Sequence, residues 1–471
     1  MFVQRMEFDM YRWRWAALFV ILAAEVMDVL DALVTTIAAP AIRADLGGGA
    51  SLMQWLGAGY ALAMAVGLIT GGRLGDLYGR RRMFLIGALG FTAASVLCGL
   101  AQSPEMLVGS RVLQGLFGAV LIPQGLGLIK EMFPPKEMAT AMGAFGPVIA
   151  LGSVGGPVLA GWLVDADFFG TGWRMIFLIN LPVGLAAFSA ALVFLPESRS
   201  AHASRLDVTG MGLVTAASFL LIYPLIQGRE LDWPVWTFAS MAASVLVFAV
   251  FARHQIGKQR AGRDPLVVPE LFRKRAFTAG LVAGLLFFAG MIGFSLVWSV
   301  YTQAALGYTP LQAGLAALPM AVGTIFGFAI GGAGLAAKLG RTAVQLGALV
   351  MGAGVVVAGY IVTSAGAGIT AWQFGPPLFA AGIGLGLFMM PFFDIVLAGV
   401  EEQETGSASG TLTAVQQLGG AFGTALLGTV FFGRFDGTAS AVLVTVGMAG
   451  ALMAVSLVVA FLMPRKAVHV S

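Results

Sequence analysis

The sequence is short of the residues on which most active-site chemistry depends. Cysteine occurs once, at Cys98, and histidine three times, at His202, His254 and His469. Disulfides and cysteine metal sites are thereby excluded, and the histidines, placed in loops or the tail, do not suggest a metal centre. Charge is equally scarce. Asp, Glu, Lys and Arg make up 11% of the chain, against about 25% in a typical soluble domain. No Gly-x-x-x-x-Gly-Lys-Ser/Thr phosphate loop occurs, so ATP is not the expected energy source. No cofactor is expected.

Apolar residues fill the space instead. They account for 58% of the 471 residues, the mean hydropathy is +0.90, and glycine occurs 65 times. This is the composition of an all-α polytopic membrane protein, with glycine where helices approach closely. Met1 to Arg14 is polar and basic like the start of a signal peptide. The apolar run after it is too long, is interrupted by acids and lacks a convincing cleavage site, so it reads as an uncleaved first span.

Cutting at charged or turn-rich breaks gives fourteen segments long enough for about 30 Å of hydrocarbon. They cover 15–40, 51–72, 83–101, 105–129, 138–163, 174–195, 207–227, 235–252, 276–303, 310–333, 342–363, 371–396, 406–432 and 439–463. With the N-terminus inside, 22 of the 27 Lys and Arg fall on the inner side; Arg43, Arg174, Arg229 and Arg434 fall outside, and Arg111 is buried. That bias satisfies the positive-inside rule and puts both termini in the cytoplasm of a cell (plasma or inner) membrane. It also accounts for the pI of about 9.3 through topology and contact with anionic lipid, without nucleic acid.

The segment Gly71 to Arg80 is echoed by Gly332 to Arg341, each after the second span of a six-span block. The economical reading is a six-helix bundle at 1–200, an inserted pair at 201–254, a basic loop at 255–275 and a second bundle at 276–471. Within that loop, Val267 to Phe272 could form a short helix on the membrane surface. Parallel repeats of this kind place a substrate site between the halves near the midplane.

Polar residues inside the spans are then functional candidates. Glu25, Asp28 and Asp31 recur every three residues in the first span, within an arc of roughly 120° on a helix. One acid at the bilayer centre costs about 3 kcal/mol, so three facing lipid would cost roughly 8–10 kcal/mol. They must face protein or a water-filled cavity. Asp394 in the twelfth span reads as a fourth buried acid. Acids held close together do not readily all ionise, so such a cluster can hold and release a proton or attract a cation. A protonated acid bonded between helices is the structural alternative. Met27, Met64, Phe287, Phe288, Met291, Phe294, Trp298, Met389, Met390, Phe392 and Phe393 are candidates to line an adaptable pocket.

Several motifs resemble the major facilitator superfamily, specifically its fourteen-span drug:proton antiporter branch. Gly72-Arg73-Leu74-Gly75-Asp76-Leu77-Tyr78-Gly79-Arg80-Arg81 is similar to the family's inner-loop motif, except that Leu77 stands where a basic residue is common. The resemblance makes Gly72, Asp76, Gly79, Arg80 and Arg81 a conformational latch that locks the halves on the cytoplasmic side. Arg111-Val112-Leu113-Gln114-Gly115 matches a buried Arg-x-x-Gln-Gly element, which implies proton coupling through Arg111 and Gln114. A buried Arg needs an anionic or carbonyl partner; snorkelling outward or pairing with Glu105 is the plainer alternative. In the fifth span, Gly152, Gly155, Gly156, Pro157 and Gly161 resemble the family's antiporter motif, with Ala160 replacing one glycine. Asp31 with Pro40 aligns with the first-span motif, whereas Glu25 and Asp28 are additional acids. Leu206–Gly210, Tyr301–Gly314 and Gly406–Gly420 add weaker matches in the right order.

The resemblance implies a major facilitator fold of fourteen transmembrane helices, two six-helix bundles with a central inserted pair. It implies a monomeric, proton-coupled exporter of lipophilic, cationic or amphipathic compounds working by alternating access. Its partners would be a small-molecule substrate, protons and membrane lipids. A transporter of one specific metabolite is the alternative, and a membrane-embedded enzyme a remote third.

Overall fold

The computed structural model describes residues 11–199, 206–365, 369–401, 404–435 and 440–466. The polar N-terminal residues 1–10, the 200–205 boundary, His202 and His469 lie outside these. The described elements are all helical, and twelve helices among them are long and apolar enough to cross a membrane.

The first group of helices is α1 (Arg14–Leu46), α2 (Ser51–Tyr78), α3 (Arg80–Gly99), α4 (Pro104–Met132), α5 (Pro135–Gly143), α6 (Phe145–Asp165), α7 (Met175–Leu178) and α8 (Asn180–Phe194). A pair follows, α9 (Val208–Gln227) and α10 (Val235–Arg260). The last group is α11 (Arg275–Ala304), α12 (Pro310–Ile330), α13 (Ala336–Leu339), α14 (Arg341–Ala365), α15 (Ala371–Leu397), α16 (Thr405–Arg434) and α17 (Ser440–Ala460). In the first group α2 packs on α4, α3 on α4 and α8, and α1 on α6 and α8; in the last, α14 and α12 pack on α15 and α11 on α16 and α17.

Two of the weaker sequence matches prove to be helix caps. Asp207 caps α9 by accepting from the Gly210 amide at 3.0 Å. Thr309 and Gln312 form a reciprocal capping box at the start of α12, with Pro310 at the first helical position, where its missing N–H costs nothing.

The inner-loop motif is mostly helical rather than a tight turn between spans. α2 continues to Tyr78, and the chain turns at Gly79, whose φ is +100°. A side chain there would be strained by its backbone and would place Cβ 2.3 Å from Glu197 Oε1. Gly75 and the preceding Gly71 serve packing, since a Cβ on Gly71 would lie 2.0 Å from the Ala119 carbonyl oxygen of α4, whereas one on Gly72 would meet only Pro123 at an ordinary 3.7 Å.

Both groups share one joint at the end that carries these turns, here called the basic end. The Arg80 amide donates to the Ser198 carbonyl at 2.8 Å, and the Arg341 amide to the Arg465 carbonyl at 3.0 Å. Beside them the Arg81 guanidinium donates to the Leu192 carbonyl, and that of Arg341 to Phe461 and Met463 at 2.9 Å. Each arginine thus satisfies carbonyls left open at a helix C-terminus, where a cation also suits the dipole. The echo between Gly71–Arg80 and Gly332–Arg341 is therefore an echo of geometry.

At the opposite end the two groups are bound to each other. Ser299 Oγ donates to the Thr36 carbonyl at 2.9 Å, Gln303 Nε2 to Ile37 at 2.9 Å, and the Leu311 amide to Asp165 Oδ2 at 3.1 Å. Gln54 Nε2 reaches the Ala425 carbonyl at 2.9 Å. The antiporter-like glycines lie in this region. Gly152 and Gly156 of α6 face Val29 and Leu33 of α1, and Gly161 meets the α12 backbone. Pro157 contributes its carbonyl to the same seam, against Gly314 of α12, whereas a Cβ on Gly155 would meet nothing within 4 Å.

Candidate functional site

Between the two groups lies a cavity of about 340 Å³. α1, α2, α4 and α6 line one side, and α11, α12, α15 and α16 the other. Of the Met and aromatic candidates, Phe288, Phe294 and Trp298 reach it, joined by Met53 and Met320. Phe287 instead stacks on Phe388 at 3.6 Å in the packed interior. Polar lining comes from Tyr60, Arg111, Ser295, Ser299, Gln416, Gln417 and several threonines; Arg111 is charged, and among the described residues no carboxylate lines the wall.

Behind Arg111 the sequence-predicted residues converge. Asp31 and Arg111 form an ion pair with side chains 0% and 1% exposed. Arg111 Nε also donates to the Leu56 carbonyl at 3.2 Å, and Nη1 to Gln114 Oε1 at 2.6 Å. The plainer alternatives for Arg111, snorkelling outward or pairing with Glu105, do not hold, because α1 offers the carboxylate directly. Asp31 Oδ1 accepts from Gln114 Nε2 at 2.8 Å and from Asn180 Nδ2 at 2.9 Å, and both amides also donate to Ser95 Oγ. α4 and α8 thus meet on one carboxylate of α1, and α3 joins them through Ser95. Such a set of partners is what a buried charge needs to offset its lost hydration.

Asp28 lies one turn away and accepts from the Tyr60 hydroxyl. The Tyr60 ring lines the cavity, with the Arg111 guanidinium 4.3 Å from its centre. Tyr60 therefore touches the cavity, Asp28 and Arg111 at once. Glu25, a further turn along α1, is half-buried beside Gly125 of α4.

Sequence reasoning missed Tyr60, Ser95 and Asn180. Asn180 was open to the same burial-cost logic as the acids, being a lone amide in an apolar run. Tyr60 and Ser95 carry no such signal.

Asp394 is a correction. It is exposed, three residues from the end of α15 at the basic end, not a fourth buried acid. The helix runs to Leu397, so the position is interfacial rather than central. Asp394→Asn is expected to leave transport within about twofold of wild type, as for surface substitutions generally; initial transport rates in reconstituted vesicles check this.

The latch residues also differ from the expected lock between halves. Asp76 pairs with Arg80 at 2.9 Å, and Arg80 with Glu131 of α4 at 3.2 Å, all within the first group. Arg73 reaches out of it, donating to the Pro265 and Leu266 carbonyls of the connecting segment. That segment is tied in turn to α10, since the Val267 amide donates to Gln255 Oε1 at 3.2 Å. Gln255, His254 and Lys258 all hold the buried Asp207 carboxylate, at 2.9 to 3.1 Å. Burial alone would raise the Asp207 pKa, but the Gly210 amide and these three side chains hold it well below the usual carboxylate range. The inserted pair is thereby linked to the inner-loop motif. Among the described residues no cluster of His, Cys, Asp and Glu could hold a metal ion.

Comparison with known proteins agrees with this architecture. The chain is 51% identical over 431 residues to a probable actinorhodin transporter of Streptomyces coelicolor, covering 92% of this chain and 75% of that protein. It is 34% identical to a tetracenomycin C resistance and export protein of Streptomyces glaucescens, with 89% and 76% covered. It is 32% identical to a puromycin resistance protein of Streptomyces alboniger, with 89% and 82% covered. Among solved structures, a peptide transporter crystallised with sulfate superposes with a TM-score of 0.68 over 94% of this chain and 93% of that one, at 15% identity, a likeness of fold alone. The family model described as the Major Facilitator Superfamily matches residues 15–424. The chain is therefore a multi-span membrane transporter and not an enzyme, and it belongs to the Major Facilitator Superfamily.

Proposed function

We propose that this protein is a proton-coupled secondary transporter that exports lipophilic, cationic or amphipathic drugs or toxic compounds from the cytoplasm by alternating access. The observation that carries the reading is the buried Asp31–Arg111 pair directly behind the wall of a cavity shared by two helix groups. A carboxylate that exchanges its arginine for a proton changes the charge at that wall, and so can couple protonation to substrate binding. Gln114, Asn180 and Ser95 position the pair, and Glu25 and Asp28 form the proton path toward the basic end. Relatives named for antibiotic transport, resistance and export support export of small molecules.

The basic end is cytoplasmic in this reading, with both termini there, in the bacterial inner membrane. The bundles are residues 1–200 and 276–471, flanking the inserted pair at 201–254 and the basic loop at 255–275. Counting α1, with its three acids, and the helix of the fifth segment as spans gives the fourteen of the drug:proton antiporter branch. The seam at the opposite end then closes the outer side, and the cavity belongs to an inward-facing state. Asp76, Gly79, Arg80 and Arg81, with Gly72, form the latch of the opposite state, in which the basic ends meet. The transporter works as a monomer.

A second reading of the substrate is favoured by the cavity wall, which among the described residues presents a guanidinium and no carboxylate. It suits neutral or anionic aromatic compounds better than cations. Proteoliposome transport of a panel matched in size but differing in charge tests both readings. Concentrative transport that stops when the pH gradient is collapsed is expected. Transport indifferent to the gradient would overturn the proton coupling, and a strict preference for cations would overturn the second reading.

A further inference from the structure

A second cavity, of about 530 Å³, lies away from the central one, between the inserted pair and the rest of the molecule. Its walls are α2 (Val66, Ile69), α9 (Val214, Ser218), α10 (Phe251, Ala252) and α16, closed at the basic end by Leu266, Val267 and Phe272. Apart from Ser218, near the middle of α9, the helical walls come from the half of each helix nearer the basic end, which places the cleft at the depth of a single leaflet. Its surface is almost wholly hydrocarbon, and Ala252 and Phe272 are exposed on its outer margin. An apolar cleft open at that depth faces lipid tails, which fill it without loss of hydrogen bonds.

The margin at the membrane surface is strongly basic. Residues 253–275 contain seven Lys and Arg against two acids, Asp264 and Glu270. Lys258 and Lys274 are paired with Asp207 and Glu404, while Arg263 and Arg273 are exposed beside the segment that closes the cleft. Net positive charge above an apolar slot of that depth suits an anionic phospholipid, with its tail in the slot and its headgroup at the arginines.

We propose that the cleft between the inserted pair and α2/α16 is a binding site for an anionic phospholipid of the leaflet at the basic end. The residues that close it, Leu266 and Val267, are those that join Arg73 to Gln255 and Asp207. The lipid therefore supports the link between the inserted pair and the inner-loop motif.

The test uses the full chain, reconstituted in equal parts dioleoyl-phosphatidylglycerol and dioleoyl-phosphatidylcholine, re-extracted in detergent and washed. Lipid retained per chain is then counted by mass spectrometry. Wild type is expected to retain phosphatidylglycerol over phosphatidylcholine by about fivefold or more, and Arg263→Gln with Arg273→Gln to lower that ratio about fivefold for each arginine that contributes. Ala252→Trp with Val214→Phe, which fills the slot, should release the retained lipid. Leu246→Trp, on the exposed face of the same helix, should not. Equal retention of the two lipids by wild type, or retention unchanged in the filled variant, would overturn the proposal. So would release of the lipid by an exported lipophilic dye, which would make the cleft a substrate path.

Discussion

Arg111→Met is expected to be among the most destabilising single substitutions in the chain. It strands Asp31 as an unpaired carboxylate in a site with no exposure. Removing one member of a buried pair costs about 3–5 kcal/mol, a large part of the roughly 5–15 kcal/mol that holds a typical fold together. Gln114 and Asn180 would remain on Asp31, but two amides do not balance a buried charge. The double variant Asp31→Asn with Arg111→Met removes both charges and should regain most of the lost stability, because the amide keeps its size and its bonds to neighbours. Proton-driven transport should be absent from both. Thermal unfolding of the purified single and double variants checks this. A single variant as stable as wild type would mean that the pair is solvated rather than buried.

The second large effect is expected at the seam of small residues. A Cβ on Gly161 would lie 2.4 Å from Leu311 Cα and from the Pro310 carbonyl oxygen; one on Gly314 would lie 2.2 Å from the Pro157 carbonyl oxygen. These obstacles are backbone atoms, which cannot swing aside as a flexible side chain could. Gly161→Leu should therefore force α6 and α12 apart, break the contacts of Thr36 with Ser299 and of Asp165 with Leu311, and leave the far end open. Transport should fall to background while the protein remains folded, since each group keeps its own interior. Cys98 is buried and the sole cysteine, so a cysteine introduced at Ser299 after Cys98→Ser reports the opening. Its labelling by a membrane-impermeant maleimide added outside should rise at least about tenfold, as expected for a shift of roughly 1.4 kcal/mol or more between the two states. Unchanged labelling would show that the seam tolerates the side chain.

Much of this molecule was legible in the sequence because a membrane removes alternatives. Hydrocarbon forbids an unpaired acid or an unpaired arginine, so Asp31 and Arg111 had to find partners, and each found the other. The same logic overreached at Asp394: the helix ends at Leu397, within one residue of the expected 396, but the side chain lies in its last turn and is exposed. The inner-loop motif was visible, but its geometry was not: Gly71 and Gly75 serve the approach of α4, and the turn falls on Gly79 alone. Tyr60 and Ser95 were illegible because their role depends on which helices are neighbours, and hydropathy fixes spans without fixing their packing. The second cavity was illegible for the same reason. Its walls come from four separate helices, none of which is unusual by itself.

In the proposed mechanism Asp31 carries the coupling proton. Asp31→Asn keeps the shape of the site and, unlike Arg111→Met, leaves Arg111 able to bond Leu56 and Gln114. In proteoliposomes it should still exchange labelled for unlabelled substrate at a rate near wild type, yet fail to concentrate substrate when a pH gradient is imposed. Loss of accumulation with exchange retained is the predicted result. Accumulation equal to wild type in Asp31→Asn, under the same gradient, would mean that another group carries the proton.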